Sequence, residues 1–283
     1  MKLATWNING VKARIETALA WLDLEKPDVV CLQEIKSVDE GFPAADFENL
    51  GYTVVTHGQK GFNGVAILSK LPIEDVMRGL PGDDGDVQAR YIEATIAPQV
   101  MSGLANGGGQ AAVGQAAVGQ AGFGRAIRLG CLYLPNGNPL GTEKFPYKLG
   151  WMARLETHAR RLLNGEMPVV LAGDYNVIAE PADAKRPEVW TGDALYQPES
   201  RAAWRRLVNL GYTDAVRACH PEPGIYTFWD YQAGAFQKND GIRIDHILLS
   251  PQAAGLLRSA MVAKDARAME KPSDHVPVVV DLG

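Results

Sequence analysis

Short apolar runs recur along the whole chain, at 2–6, 28–32, 52–57, 64–68, 91–96, 127–134, 168–172, 242–249 and 276–281. Their Val, Ile and Leu residues stand at consecutive positions, not at alternate ones. That pattern predicts strands buried on both faces. Between them the period lengthens. Val11, Ile15, Ala18, Leu19 and Leu22 share one face of a helix predicted over 11–24. Phe145, Leu149, Met152, Leu155, Ala159 and Leu162 do the same over 143–163, and a weaker helical pattern covers 201–210. Many strands with few helices between them predict an α/β protein. No shift in composition divides the chain, so one domain over 1–283 is expected.

Residues 101–125 break the pattern. "MSGLANGGGQAAVGQAAVGQAGFGR" carries no charge before Arg125 and repeats Ala-Ala-Val-Gly-Gln. A Gly/Ala/Gln tract of this kind has no apolar face to bury, so a loop inserted between two strands is expected.

Composition narrows the function. With 283 residues, 46% of them hydrophobic, the chain builds a large core. A formal net charge of -5 argues mildly against a nucleic-acid binder, because such proteins usually have a basic balance. It leaves room for a local basic face. Cys31, Cys131 and Cys219 have no paired spacing. They read as free thiols of a reducing compartment, not as a disulfide or zinc set. The start "MKLATWNING" enters a strand pattern at once, and no apolar run reaches membrane length. The expectation is a cytoplasmic protein with no membrane partner.

The polar residues that end the apolar runs carry the candidate chemistry. The first run ends in Asn7, the second in Gln33-Glu34, and the run at 127–134 carries Tyr133 into Pro135-Asn136-Gly137. "LAGDYN" closes on Asp174 and Asn176, Asp245 sits between Ile244 and Ile247, and Asp274-His275 precedes the last run. Singly, most of these have plain structural readings: turn amides, an Asx-turn, a core aromatic, a loop pair. Asp245 does not, because a charge inside an apolar strand must be paired or functional. In α/β sheets, sites form at strand ends. Carboxylates and amides are hard ligands suited to Mg2+, and no cysteine or histidine cluster favours zinc. A cation of this kind, a free carboxylate and an imidazole suit phosphate-ester hydrolysis.

In order along the chain stand "TWNINGVKAR", "PDVVCLQEIK", "GQKGFNGVAILSK", "RGLPGDD", "YLPNG", "KFPYK", "LAGDYNV", "RIDHILLS" and "SDHVPV". Together they resemble the exonuclease III family of abasic-site endonucleases, within the endonuclease/exonuclease/phosphatase superfamily. The resemblance covers nearly the whole chain, with 101–125 as the main gap.

It implies a DNase I-like four-layer α/β sandwich of two packed mixed sheets flanked by helices. It implies a monomer that cleaves double-stranded DNA 5' to abasic sites and trims blocked 3' ends, as 3'-5' exonuclease and 3'-phosphatase, with Mg2+ or, in substitution, Mn2+. By the same resemblance Glu34 is the principal metal ligand with Asn7 beside it, and Asp174 activates water and touches the metal. Asn176 orients Asp174 or the phosphate, His275 binds the phosphate with Asp274 orienting it, and both pairs complete the metal surroundings. Tyr133 and Asp245 support the reaction. Lys60, Arg90, Asn136, Lys144 and Lys148 fall at DNA contacts, and Phe228, Ile242 and Ile244 wall the abasic pocket. Phe228 stands where exonuclease III itself has Trp. Non-specific DNases, inositol-polyphosphate phosphatases and sphingomyelinases share the strand-end acids, and a catalytically inert DNA-binding scaffold is a different class again.

Overall fold

The computed structural model describes residues 1–97 and 124–283. The described strands, in chain order, are β1 (Lys2–Asn7), β2 (Val29–Gln33), β3 (Thr53–His57), β4 (Val65–Ser69), β5 (Ile73–Arg78), β6 (Tyr91–Ile96), β7 (Ile127–Tyr133), β8 (Val169–Asp174), β9 (Thr213–Asp214), β10 (Asp245–Leu249), β11 (Leu257–Val262) and β12 (Val278–Leu282). They form two six-stranded sheets, ordered β11-β12-β1-β2-β4-β3 and β5-β6-β7-β8-β10-β9. The helices are α1 (Ile15–Glu25), α2 (Ala44–Glu48), α3 (Lys144–Leu162), α4 (Pro198–Val208), α5 (Ala215–Cys219) and α6 (Pro251–Ala254).

Successive strand residues point to opposite faces, and here both faces are covered. Leu3, Val29, Cys31, Val65 and Ile67 of one sheet meet Ile92, Ala94, Leu129, Val170, Ala172 and Ile247 of the other in the central core. Their neighbours point outward. Ala4, Trp6, Val30, Leu32, Ala66 and Leu68 pack with Ala18, Trp21 and Leu22 of α1. Leu132, Leu171 and Leu248 pack with Trp151, Met152 and Leu155 of α3 and with Ala203, Trp204 and Leu207 of α4. The outcome is the expected four-layer α/β sandwich. Each such aliphatic side chain, fully buried, contributes about 1.5–3 kcal/mol.

All nine expected runs fall on strands. The expected run at 242–249 shortens: pairing starts only at Asp245, which therefore opens β10. The strands that the pattern missed, β5, β9 and β11, all lie at sheet edges. In β5 and β11 one side faces solvent, so no continuous apolar run marks them. The expected insertion lies almost wholly outside the described residues. It falls between β6 and β7, whose facing ends Ile96 and Ile127 are register partners.

Candidate active site

Two parallel pairings gather the polar strand ends. β1 runs parallel to β2, setting Asn7 beside Gln33, and β7 runs parallel to β8, setting Tyr133 beside Asp174. β10 runs antiparallel to β8, so its first residue, Asp245, faces Asp174. Side chains that are far apart in sequence thus meet at one edge of the sandwich. Two of them sit on left-handed backbone, Glu34 with φ 49° and Asn176 with φ 47°. That region is uncommon for a residue with a side chain such as Glu. The turn at Glu34 is held by Gly10 N–H donating to its carbonyl and by Ile35 N–H donating to Gly64 O.

The hydrogen bonds make one connected array. Asn7 Nδ2 donates to Glu34 Oε1 at 2.9 Å and to Asp174 Oδ2 at 3.0 Å. Lys36 Nζ lies 3.0 Å from Glu34 Oε2. The Asn176 backbone N–H donates to Asp174 Oδ1 at 2.8 Å. Asn176 Nδ2 donates to Leu134 O, and Asn136 Nδ2 donates to Asn176 Oδ1. His275 shares its Nδ1 proton with Asp245 Oδ2 at 2.8 Å, and its Nε2 lies 3.8 Å from Asp174 Oδ2.

Burial and charge tune these groups together. Burial and the neighbouring Asp245 carboxylate push the Asp174 carboxyl up, against the pull of His275, Asn7 and the Asn176 N–H. Burial alone would depress His275, but Asp245, Asp174 and Asp274 outweigh it and raise the imidazole to about 10. His275 is therefore an imidazolium held between two carboxylates. Burial raises the Tyr133 phenol, and Glu34 and Asp174 raise it further, so it stays protonated.

The residues fit a divalent cation. Carboxylate oxygens of Asp174 and Asp245 lie within 4.8 Å of each other, with His275, an imidazolium that has no lone pair to offer a cation, beside them. Asp245 Oδ1 is buried with no hydrogen-bond partner, and Glu34 adds a third carboxylate. The Asp174 carboxyl is raised by burial first and by the Asp245 charge second, and a bound cation would offset both. Hard oxygens with no thiolate suit Mg2+ or Mn2+.

Several expected positions differ from their expected roles. Asp274 does not orient His275: its Oδ1 accepts from Asn9 Nδ2 at 2.9 Å, while Asp245 holds the imidazole. Asp274 lies at a bend in the chain, and its carboxylate turns toward Asn9 and away from the cluster. Nor does Asp274 join the converging ligand atoms. Lys148 is fully buried and donates to two backbone carbonyls, which removes it from the surface where phosphates would lie. Burial lowers its ammonium to about 7, with Asp174 and Asp193 opposing. Ile242 and Ile244 are buried with Ile178, Ala184 and Leu195, so they back the pocket more than they line it. Ile242 also touches a depression of about 300 Å³ that Phe228 and Trp190 line. Phe228 is half-buried, its ring 4.9 Å from that of His275.

The remaining expected DNA contacts do lie outward. Lys60, Asn136 and Lys144 are exposed, and the Arg90 guanidinium sits 4.9 Å over the Tyr133 ring. Sequence reading missed Asn9 and Lys36, which brace Glu34 and Asp274. It also missed the ion network behind the site. There Arg243 donates to Asp183 at 2.7 Å and to Asp214 at 2.8 Å, beside His246. The one available signal was Arg243 itself, a charge between two buried isoleucines.

Two packed sheets with carboxylates, amides and a protonated imidazole at one edge define a phosphoester hydrolase. The chain belongs to the Endonuclease/Exonuclease/phosphatase family, which it matches over residues 4–275. It is 35% identical to exodeoxyribonuclease III of Haemophilus influenzae over 287 aligned residues, covering 98% of each chain. Among solved structures, an AP endonuclease from Archaeoglobus fulgidus is 34% identical with a TM-score of 0.86, covering 100% of this chain and 99% of its own. The 3' phosphatase NExo from Neisseria, solved bound to product DNA hairpin, is 35% identical with a TM-score of 0.87 and the same coverage. Within the family this chain is a nuclease of the exodeoxyribonuclease III and AP endonuclease type.

Proposed function

We propose that the chain is a Mg2+-dependent DNA-repair phosphodiesterase, with Mn2+ as a working substitute, that incises duplex DNA 5' to abasic sites and trims blocked 3' ends. One observation carries this reading: the hydrogen-bonded array from Glu34 through Asn7 and Asp174 to His275 and Asp245. Glu34, Asp174 and Asn7 would hold the cation, which when bound polarises a phosphoryl oxygen. Asp174, its Oδ1 held by the Asn176 N–H, takes the proton of the attacking water. His275 donates from Nε2 to the phosphoryl oxygen where charge develops, and Asp245 keeps the ring charged and aimed. Water oxygen bonds to phosphorus as the bond to the 3' oxygen breaks. The Tyr133 phenol, kept protonated, adds a donor at the same edge. Lys60, Lys144 and Asn136 are exposed and Arg90 is partly so, and in this reading they contact the backbone of a duplex despite the acidic average.

The same reading has the protein working as a monomeric single domain in the cytoplasm, in keeping with three free thiols. No described helix is long and apolar enough to cross a membrane. The test is a panel of abasic duplex, 3'-phosphate duplex, intact duplex, inositol phosphate and sphingomyelin, each with Mg2+ and with excess EDTA. Cleavage of the first two, abolished by EDTA and by Glu34→Ala, is expected. Undiminished abasic incision in EDTA, or preference for a non-nucleic substrate, would overturn it.

A further inference from the structure

Lys148 is a buried cation that the reaction, as described, does not use and that no described carboxylate pairs with. It sits on α3 and reaches the edge where β7 and β8 end. Its Nζ donates to Pro135 O at 3.0 Å and to Asn176 O at 2.7 Å. Among the described residues it makes no salt bridge. Burying an ammonium without a paired carboxylate is expensive, so the two carbonyls it ties together carry the explanation.

Those carbonyls belong to the two loops that follow the parallel strands. One loop bears Asn136, the other Asn176, two residues past Asp174 at the end of β8. They already touch, through Asn136 Nδ2 to Asn176 Oδ1 and Asn176 Nδ2 to Leu134 O. Asn176 is also on left-handed backbone, and its N–H fixes Asp174 Oδ1. Its carbonyl, on the far side of the same residue, is what Lys148 holds. The first loop wraps closely onto the lysine stem: a Cβ at Gly137 would stand 2.7 Å from Lys148 Cδ.

Resting on the reading that Asp174 and Asn176 act on the scissile phosphate, we propose that Lys148 is a positioning residue. It clamps the Pro135–Asn136 loop to the Asn176 backbone and so sets the Asp174 carboxylate, without touching DNA.

Lys148→Met keeps the stem and removes the donors. On abasic duplex with Mg2+, kcat is expected to fall roughly 10²-fold, the scale of a small misplacement of reacting groups. Affinity for uncleaved duplex should stay near wild type, and so should the slope of log Kd against log salt. A phosphate contact would instead weaken binding and shift that slope by about 0.9. That outcome overturns the proposal. So does a lowered Tm with unchanged kcat per folded molecule. Gly137→Ala keeps the ammonium but crowds its stem and strains the loop itself at φ 92°, so it should share the loss of kcat, while Lys148→Arg, which keeps a donor to the two carbonyls, should recover part of it and serves where Lys148→Met fails to fold. The double variant Lys148→Met with Gly137→Ala should lose little more than either single one, and fully additive losses overturn the clamp. Wild-type inactivity on every DNA tested would overturn the functional reading and the clamp with it, a pattern that no failure of the lysine alone produces.

Discussion

His275 shows how one side chain's chemistry is set by its neighbours. Burial alone would discharge the ring, and Asp245 at 2.8 Å reverses that. Asp245→Asn removes the largest opposing charge. The imidazole should then return toward its ordinary value of about 6.5. Because a raised pKa keeps the proton on as pH climbs, its loss acts at the alkaline side. The variant's kcat is expected to fall about fiftyfold between pH 6.5 and 8.5 relative to wild type, reading the fraction charged from that pKa. Parallel profiles of kcat against pH would show that Asp245 does not set the charge. Asp214 illustrates the opposite sign. Burial pushes it up, but Arg243 and His246 pull it well below the usual carboxylate range. A carboxyl depressed in the folded state lends stability above its unfolded pKa of about 3.9 and loses it as pH falls below. Asp214→Asn leaves Arg243 with Asp183 as its remaining carboxylate, so a loss of about 1–3 kcal/mol at pH 7 is expected. The gap in Tm to wild type should narrow below about pH 4. A gap that stays constant down to pH 3 would refute the assignment.

At the scale of elements, the site depends on how closely β7 and β8 lie. Leu132 and Gly173 are register partners in that parallel pair, and a Cβ on Gly173 would stand 1.9 Å from Leu132 O. The strands therefore approach too closely there for any side chain, one residue before Asp174. Gly173→Ala should force β8 away from β7, costing about 1–3 kcal/mol as an overpacked contact does. It should also displace Asp174. Both Tm and kcat are expected to drop, and a variant with lowered Tm but unaltered kcat would show that the strand gives way without moving the carboxylate. The β6–β7 connection is the contrasting case. Its ends are already joined by the Ile96–Ile127 pair and the register that follows. Deleting residues 103–122 shortens the chain between β6 and β7, and closure entropy changes only slowly with length. Tm and abasic-site kcat are expected to stay near wild type. A large fall in either would assign the tract a packing or binding role.

For the molecule as a whole, the apolar runs were enough to fix the central strands, since burial on both faces leaves an unbroken hydrophobic signal. The two long helices were equally legible from their period. Edge strands β5, β9 and β11 were not, because pairing on one side only is compatible with many sequences. The strand-end residues Asn7, Glu34, Asp174, Asn176 and Asp245 could be named from local pattern and family resemblance, since each closes or opens an apolar run. Which of them touch could not. The partner of His275 is 30 residues away in Asp245 and not adjacent in Asp274, because the β8–β10 register sets Asp245 at the site while the bend at Asp274 sends its carboxylate to Asn9. Lys148 likewise carries nothing in sequence that distinguishes it from exposed Lys144, one helical turn earlier on α3. Periodicity determined the central strands, the two long helices and the polar residues at strand ends, while the layering followed from the family resemblance. The tertiary packing alone decided their protonation, their partners and which cations face solvent, because those properties depend on distances across strands that no local pattern encodes.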